Sequence, residues 1–300
     1  MFDVITFGSA VVDTFVDTDV SEKKKFISYP VGSKILIKNL RFDVGGGGTN
    51  TAVAFSRLGL KTGYIGEVGF DSNGDRILNL LKKEKIKFLG SRSNDGPSGY
   101  SVVLDSKEKS RTILTYKGIN DHIDLKDIQL KKVKTKWLYY SSMLGQSFGT
   151  QVQLAKILTK KGVKLAINPS EYLITQKNLK PLLKMATVLV LNKEEAVLLI
   201  GKKSKDLLAD LHKLGPDVVV ITDKDNPIQA FDGKRKYFLK PNKVRVVERT
   251  GAGDAFASGF VAGMILGWSI DKCLKFGLKE GESVLRYIGA KNKLLTMKLK

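Results

Sequence analysis

A short glycine-rich segment in the C-terminal part of the sequence carries the clearest chemical signal. It reads Thr250-Gly251-Ala252-Gly253-Asp254-Ala255-Phe256. Residues 244–247 before it have the composition of a strand, and the apolar residues from Phe256 to Ile265 recur at helical spacing. Small residues at the start of a helix leave backbone N–H groups free, and the helix dipole favours an anion there. The segment therefore predicts a phosphate-type anion site.

Asp254 lies in the first turn of this predicted helix, beside the anion site. A carboxylate there can accept the proton of an attacking hydroxyl group while the amides stabilise the charge on a transferring phosphoryl group. A second interpretation is that the glycines only permit a tight turn and that Asp254 caps the helix. The spacing alone leaves both interpretations open.

A run of glycines near the N-terminus precedes another predicted helix and reads Gly45-Gly46-Gly47-Gly48-Thr49-Asn50. No Gly-Lys-Ser/Thr follows it, so it is not a Walker A loop. Asn50 stands where a dinucleotide-binding fingerprint needs its third glycine, which excludes that motif as well. By itself the run is equally typical of a flexible loop.

Polar residues also follow predicted strands elsewhere in the chain. Asp13 comes after the first strand, at the carboxyl end, where open α/β sheets bind ligands. Its carboxylate can accept two hydroxyl hydrogen bonds, although a cap of a helix or turn is also possible. Asn192 and Glu195 open a helix after another strand, where an acidic residue is also favourable without any catalytic role.

Predicted strands and helices must position these residues. Apolar runs rich in Val and Ile predict buried strands at 2–7, 63–68, 137–140, 163–167, 187–191 and 218–221. Helical patterns occupy 51–58, 74–84, 150–161, 193–199 and 205–214. Strands that alternate with helices indicate βαβ units, and we expect an α/β fold with a doubly wound, mainly parallel sheet.

Two stretches, residues 13–43 and 98–117, break this alternation. The first contains residues 34–38, in which polar and apolar positions partly alternate, and the second contains two alternating runs around a polar turn. Both predict antiparallel strands beside the main sheet, which would form a small lid on a single domain of residues 1–300.

Composition limits the class of protein. The sequence has 42% apolar residues but no apolar run of about 18 residues and no signal-peptide pattern, so we expect a cytoplasmic protein without a membrane partner. The net charge is +21, yet 42 of the 51 basic residues are Lys and they are spread along the chain, which argues against nucleic acid as a partner. Cys273 is the only cysteine and predicts packing rather than chemistry.

Taken together, the motifs resemble those of the ribokinase-like (PfkB) carbohydrate kinase family. The segment around Asp254 is similar to the second signature of that family, in which the Asp is the catalytic base and the preceding backbone forms the anion hole. The resemblance therefore assigns those roles to Asp254 and to Gly251, Ala252 and Gly253. The run at residues 45–52 is similar to the first signature, in which two glycines hinge the lid and an Asn binds sugar hydroxyl groups.

Those first-signature roles fall on Gly45, Gly46 and Asn50, and Asp13 matches the substrate-binding Asp of the family. Asn192 and Glu195 match a motif that organises Mg²⁺ and water around the phosphates, with Glu195 acting through water. Thr222 corresponds to a nucleotide-contacting position. Residues 286–290 resemble the closing helix and Gly-Ala turn, so the resemblance covers nearly the whole chain.

The sequence departs from the family at two places near these residues. Residues 223–226 stand where relatives have a glycine-containing loop, which leaves the nucleotide contacts open. Glu248-Arg249 stands where relatives carry Asp and a small polar residue, and that Asp contributes to a monovalent-cation site in many members. Potassium dependence is therefore also open.

The resemblance implies an ATP- and Mg²⁺-dependent kinase that phosphorylates a hydroxyl of a small sugar such as ribose or fructose, and a homodimer formed through the lid. Gly47 and Ser141-Ser142 argue against a strict ribokinase, and the sugar stays open. A nucleoside kinase of the adenosine type is the alternative, with an aromatic wall from Phe15 or Tyr100 as its mark. A noncatalytic protein that binds a ligand or nucleic acid on the same scaffold is a remote alternative.

Overall fold

The computed structural model describes residues 1–108, 110–201, 203–287 and 289–298. Its strands are β1 Phe2–Phe7, β2 Val11–Asp17, β3 Glu22–Lys23, β4 Phe26–Ile27, β5 Asn39–Gly45, β6 Thr62–Ile65, β7 Glu67–Gly69, β8 Lys87–Phe88, β9 Ser91–Ser93, β10 Gly99–Asp105, β11 Arg111–Tyr116, β12 Thr135–Ser141, β13 Lys164–Asn168, β14 Val188–Asn192, β15 Val218–Asp223, β16 Asn226–Phe231 and β17 Lys236–Leu239.

Its α-helices are α1 Gly47–Arg57, α2 Ser72–Lys83, α3 Gly145–Thr159, α4 Glu171–Gln176, α5 Lys180–Leu183, α6 Lys193–Ile200, α7 Leu207–His212, α8 Ala252–Ile265 and α9 Ile270–Leu285. Short 3₁₀ turns lie at Gly118–Asp121, Leu125–Asp127 and Leu130–Lys132. Within the described ranges, no helix is long and apolar enough to cross a membrane. The cytoplasmic location stays a prediction.

One large sheet organises the molecule. In the described part of the chain its nine strands follow the order β17-β16-β15-β14-β13-β12-β1-β6-β8. All neighbouring pairs from β15 to β8 are parallel, and only the edge hairpins β15-β16 and β16-β17 are antiparallel. The strand order reverses between β1 and β12, and ligands bind at the carboxyl ends of the strands at such a switch point. The predicted α/β fold with a mainly parallel sheet is confirmed.

The strands of this sheet are apolar at successive positions, and helices bury both of its faces. In β12, Leu138 and Tyr140 join the cluster beneath α3 to α7, whereas Trp137 and Tyr139 join the cluster beneath α1, α8 and α9. Side chains that alternate between faces require helices on both sides. Cys273 is buried in the second cluster.

A separate four-stranded sheet has the order β11-β10-β2-β5. Its outer pairs are antiparallel, but β2 and β10 run parallel. The antiparallel strands predicted within each stretch are confirmed, because β2 pairs with β5 and β10 with β11, and the two stretches join in parallel through β2 and β10. The chain passes from β1 of the large sheet through residues 8–10 into β2, and it reaches β10 after β8 of the large sheet and the short strand β9. Because both strands leave the large sheet in this way, they run in the same direction.

Several predicted boundaries are wrong. Residues 34–38 and 244–247 form no strand in the described structure; residues 34–38 are almost wholly exposed and therefore have no face to bury. The predicted strand at 63–68 is divided between β6 in the large sheet and β7, which pairs with β9. Helix α1 begins within the glycine run, at Gly47 rather than at residue 51. In the stretch at 286–290, Ile288 lies outside the described residues, as does Lys109 in the stretch at 98–117.

Candidate active site

A central cleft of about 310 Å³ opens at the carboxyl ends of the large sheet. The residues that line it include Ser142, Asn192, Glu195, Thr222, Gly251 and Asp254. A second cleft, here named the substrate-side cleft, adjoins it beneath the small sheet and shares Ser9, Gly47 and Tyr172 with it. A third, the nucleotide-side groove, adjoins its other end and shares Asn192, Thr222 and Gly253 with it. Asp254 thus borders a cleft that adjoins two further clefts.

The segment before Asp254 has the geometry of an anion site. Gly251 has a φ of +79°, and a Cβ at this position would lie 2.3 Å from the Cβ of Ala290, so only glycine fits. A Cβ at Gly253 would meet nothing, and Gly253 borders two of the clefts. The amide groups of the first turn of a helix have no acceptor within that helix. The start of α8 can therefore present N–H groups to an anion in the central cleft.

Asp254 is held by a chain of hydrogen bonds that begins at the C-terminal end of the protein. Asn50 on α1 donates from Nδ2 to Asp254 Oδ2 at 2.9 Å. Lys291 donates from Nζ to Asn50 Oδ1 at 2.9 Å and also to the carbonyl oxygen of Val44. Burial raises the pKa of Asp254, while the Asn50 hydrogen bond and the Lys291 charge act in the opposite direction. The base candidate is thus near a cation, half-buried, and open to the central cleft.

Sequence reasoning missed Lys291. Its only local signal is that it follows the Gly289-Ala290 turn, and lysine is so frequent in this chain that a single one does not stand out. Its importance depends on burial, which the local pattern does not reveal.

Asp13 lies in the substrate-side cleft. The sequence predicted it directly after the first strand, and this part of the prediction is wrong. It is within β2 of the small sheet, paired with Asp43 on β5 and with Ser101 on β10. Burial raises the pKa of Asp13, and a hydrogen bond from Ser101 opposes that shift. A Cβ at Gly45 would lie 2.0 Å from Asp13 Oδ2, so Gly45 makes room for this carboxylate. Gly46 has a φ of +96° and also borders the cleft.

Asn192 and Glu195 cap α6 and line the central cleft at the same time. Asn192 Oδ1 accepts from the Glu195 N–H group at 2.8 Å, and Glu195 Oε2 accepts from the Asn192 N–H group at 2.8 Å. Burial raises the pKa of Glu195 to about 7, against the hydrogen bond from Asn192. Among the described residues, no group of three His, Cys, Asp or Glu side chains forms a metal site. Oxygen donors at a cleft nonetheless fit Mg²⁺, which usually keeps several of its waters.

The nucleotide-side groove is more apolar than the other two clefts. Val246, Phe256 and Leu278 contribute to its walls, and its volume is about 290 Å³. Thr222 lies where the groove meets the central cleft and donates to the Leu191 carbonyl oxygen at 3.4 Å. The atypical loop at residues 223–226 contributes Lys224 and Asp225 to the rim.

Glu248, one of the residues that depart from the family pattern, is buried and paired. Its carboxylate accepts from the Gly289 N–H group at 2.8 Å and from the Arg111 guanidinium group on β11. Arg111 also donates to Thr250 Oγ1 at 3.2 Å. The small sheet is therefore tied directly to the segment that precedes the anion site.

The structure brings the predicted residues together around the three clefts. Gly251, Gly253, Asp254, Asn192, Glu195 and Thr222 line the central cleft, Asp13 and Gly46 line the substrate-side cleft, and Ala252 lines the nucleotide-side groove. Gly45 makes room for the Asp13 carboxylate, and Asn50 donates a hydrogen bond to Asp254. A Cβ at Gly47 would lie 2.9 Å from the Ser141 Cβ, which links the two positions that argued against a strict ribokinase.

Comparison with known proteins gives a consistent result. The profile of the pfkB family carbohydrate kinase matches residues 1–297. The chain is 30% identical to a 5-dehydro-2-deoxygluconokinase from Clostridium perfringens, in an alignment that covers 92% of this chain and 85% of that protein. It is 24% identical to a cytidine kinase from Thermococcus kodakarensis, over 96% of this chain and 98% of that one. A ribokinase structure from Thermotoga maritima has the same fold, with a TM-score of 0.86 at 18% identity and coverage of 99% and 97%.

Proposed function

Because this chain belongs to the pfkB family of carbohydrate kinases, which are phosphotransferases that act on sugar hydroxyl groups, we propose that it transfers the γ-phosphoryl group of ATP to a hydroxyl group of a small sugar. The observation that carries the proposal is the position of Asp254 at the junction of the clefts. It borders the central cleft, which adjoins the cleft that holds the Asp13 carboxylate on one side and a more apolar groove on the other.

The acceptor would bind in the substrate-side cleft. The Asp13 carboxylate can accept hydrogen bonds from two hydroxyl groups of a sugar, and hydrogen bonds to an ionised acceptor are stronger than neutral ones. The Asn50 amide points one hydrogen at Asp254 and has a second one for the substrate. Together these groups would hold the reacting hydroxyl beside the Asp254 carboxylate.

Asp254 would accept the proton of that hydroxyl group as the oxygen attacks the γ-phosphorus. The carboxylate becomes a better base when burial raises its pKa towards the working pH. The amide groups at Gly251 and Gly253 and the positive end of the α8 dipole would stabilise the phosphoryl group during transfer, whereas the Ala252 N–H group already donates to the Arg249 carbonyl oxygen at 3.2 Å. Mg²⁺, held through water by Asn192 and Glu195, would neutralise charge on the ATP phosphates.

ATP would occupy the nucleotide-side groove, with its phosphates directed into the central cleft past Thr222. Support comes from the apolar walls of the groove, which suit a purine ring, and from the shared residues between groove and cleft. The small sheet, with residues 13–43 and 98–117, would serve as a lid that closes about Gly45 and Gly46 and keeps water from the phosphoryl group.

A nucleoside is the second candidate acceptor. Phe15 and Tyr172 line the substrate-side cleft, and an aromatic ring there can stack on a base. Tyr100, the other aromatic residue considered from the sequence, packs instead against the cluster that contains Val12 and Ile77. The aromatic contribution to the cleft is therefore smaller than that prediction required.

The decisive experiment is an ADP-release assay with ATP and Mg²⁺ against ribose, fructose, glucose, 2-keto-3-deoxygluconate, adenosine, inosine and cytidine. Turnover with one sugar supports the first candidate, and turnover with nucleosides alone supports the second. No ADP release with any acceptor, together with no detectable ATP binding in calorimetry, would support the noncatalytic alternative.

Asp254→Asn tests the base. We expect kcat to fall by about two to four orders of magnitude, the usual contribution of a general base, with an unchanged melting temperature. The matched control is Asp271→Asn, which changes the exposed first-turn carboxylate of α9 and should leave kcat unchanged. Near-normal turnover of Asp254→Asn would contradict the assignment.

A further inference from the structure

Lys291 differs from the other lysines of this protein. Among the described residues it is the only lysine that is buried, with 6% of its surface exposed. A buried ammonium group is unfavourable unless hydrogen bonds and opposite charges compensate for its lost hydration. Hydrogen bonds link Lys291 to the candidate base Asp254 through one intervening residue, Asn50, so the burial of this lysine requires an explanation.

The backbone around Lys291 is fixed independently of its side chain. Arg57, at the end of α1, donates from Nη1 to the Lys291 carbonyl oxygen at 2.7 Å and is paired with Glu84. Farther along the segment, the Met297 N–H group donates to the Arg57 carbonyl oxygen at 2.9 Å. The Leu295 N–H group donates to Glu280 at 3.0 Å. The C-terminal segment is thus attached to α1 and α9 whatever side chain stands at position 291.

The side chain of Lys291 reaches inward between the small sheet and the helices. It meets the carbonyl oxygen of Val44 on β5 and the amide oxygen of Asn50 on α1. Burial lowers its pKa, the carboxylates of Asp43, Asp13 and Asp254 act in the opposite direction, and Arg57 acts in the same direction as burial. These groups lie on β5, β2, α8 and α1, so the Lys291 ammonium group lies where the elements that surround Asp254 meet.

The hydrogen bonds specify the orientation of one amide. An ammonium group only donates and an ionised carboxylate only accepts. Asn50 lies between Lys291 and Asp254, so its oxygen must face the first and its NH₂ group must face the second. The Lys291 charge therefore selects the amide orientation that supports the Asp254 carboxylate.

We propose that Lys291 is a positioning residue for phosphoryl transfer, which acts through the Asn50 amide to hold the Asp254 carboxylate towards the acceptor hydroxyl group. The proposal rests on the proposed role of Asp254 as the base. Through the Val44 carbonyl oxygen, the same side chain also couples that arrangement to strand β5, directly before the Gly45-Gly46 hinge.

The test uses the full-length chain with Lys291→Met, which removes both donor and charge, and Lys291→Gln, which keeps a donor for Asn50 but no charge. We expect Lys291→Met to lower kcat by roughly 10- to 100-fold, the scale of a misplaced catalytic group. The KM for ATP should stay within about twofold, since Lys291 contacts no part of the nucleotide-side groove. Lys291→Gln should recover part of kcat.

The pH profile separates positioning from simple structural support. Loss of the nearby cation raises the pKa of Asp254 further, so the acid limb of kcat should move to higher pH in both variants. The matched control is Lys275→Met, which changes an exposed lysine on α9 and should show the wild-type profile. A wild-type kcat and pH profile in Lys291→Met would overturn the proposal, as would a lower melting temperature with an unshifted profile.

A double-mutant cycle tests the route through Asn50. If Lys291 acts through the amide, Lys291→Gln should cause little further loss of kcat in an Asn50→Ala background, and additive losses would overturn the proposed route. If Lys291→Met does not fold, the pH profile and the cycle of Lys291→Gln decide the matter. An active Asp254→Asn variant would refute the base itself, whereas an inactive Asp254→Asn beside a wild-type Lys291→Met would refute only the role of Lys291.

Discussion

At the residue scale, burial shifts the pKa values of the candidate carboxylates and the pKa of the buried lysine in opposite directions. Removal of water disfavours the charged form of any group, so it raises the pKa of Asp254 and Glu195 and lowers that of Lys291. The Asn50 amide then connects the buried Lys291 ammonium group to the half-buried Asp254 carboxylate. Groups shifted in this way towards neutral pH are typical of catalytic sites.

Glu195 carries a prediction about the pH dependence of Mg²⁺. Because its pKa is raised to about 7, the carboxyl group is neutral below that pH and anionic above it. We therefore expect the half-saturating Mg²⁺ concentration to rise as the pH falls through about 7. The measurement is a series of Mg²⁺ titrations of ADP release between about pH 6 and pH 8.5, on either side of that pKa.

Glu195→Gln should have a raised Mg²⁺ requirement that no longer varies over this pH range. The control is Glu194→Gln, since Glu194 is an exposed carboxylate in the same turn and is paired with Lys224. That variant should retain the pH dependence, with its midpoint moved to lower pH because the Glu194 charge contributes to the raised pKa of Glu195. An unchanged pH dependence in Glu195→Gln would contradict the assignment of Glu195.

At the scale of elements, the contact between α8 and α9 positions the anion site. Two glycines on α8 allow a close approach, because a Cβ at Gly259 would lie 2.8 Å from the Glu280 Cβ and one at Gly263 would lie 2.8 Å from Cys273 Sγ. Small residues at a helix contact let the two backbones approach. The start of α8 is thereby fixed against α9 and the C-terminal segment.

Glu280 makes this contact dependent on pH. It is fully buried, one of its oxygens accepts from the Leu295 N–H group at 3.0 Å, and the other has no hydrogen-bond partner among the described residues. Burial raises its pKa from the ordinary 4.5 to about 7. Between these two values the folded state holds a proton that the unfolded state has lost, so the free energy of unfolding should fall as the pH rises from about 4.5 to about 7 and then stay level.

Glu280→Gln keeps this position neutral at every pH. We expect the variant to be more stable than wild type by roughly 1 to 3 kcal/mol at about pH 8 and to lose this component of the pH dependence. Urea unfolding at about pH 5.5 and about pH 8 provides the measurement. Glu282→Gln, on the same helix but partly exposed, should keep the wild-type dependence. A Glu280→Gln variant that is less stable than wild type at pH 8 would contradict the expected cost of that charge.

At the scale of the whole molecule, Arg111 joins the small sheet to the segment before the anion site. Its partner Glu248 is 4% exposed, and removal of one member of such a pair leaves a charge that is neither solvated nor neutralised. We expect Arg111→Met to lower the free energy of unfolding by roughly 1 to 3 kcal/mol, less than for a fully buried pair because Arg111 is partly exposed. The sugar KM should rise with it.

Arg111→Met/Glu248→Gln is the matched test of this contact. The Gln side chain can still accept from the Gly289 N–H group, so the double variant should recover most of the lost stability. Urea unfolding of the four forms measures the coupling energy between the two residues. Strictly additive losses would contradict a direct coupling of the small sheet to this segment.

The small sheet also exposes apolar side chains, Leu40 and Phe42 on β5 and Ile113, Leu114 and Tyr116 on β11. Exposed apolar surface on a sheet with open edges favours association. The homodimer through the lid stays a prediction, which sedimentation velocity can check.

Local pattern was enough to predict the central strands of the large sheet, but not its edge strands β8, β16 and β17, and to bring out the segment around Asp254. Buried parallel strands are continuous apolar runs, so β1, β12 to β15 and the helices α3, α6 and α7 could be recognised from short windows of sequence, whereas the short helices α4 and α5 were not predicted. The segment from Thr250 to Asp254 is equally local, because its glycines and its carboxylate act within a single turn. These features depend on neighbouring residues and are therefore readable without a structure.

Only the tertiary structure decided the features that depend on distant contacts. Residues 244–247 have a strand composition but find no partner strand, and β2 and β10 pair in parallel because of where the chain leaves the large sheet. Lys291 and Asn50 are 241 residues apart in sequence, yet one hydrogen bond joins them. Whether a side chain is buried is set by the elements that pack around it, so its charge, pKa and role emerge only when the whole chain has folded.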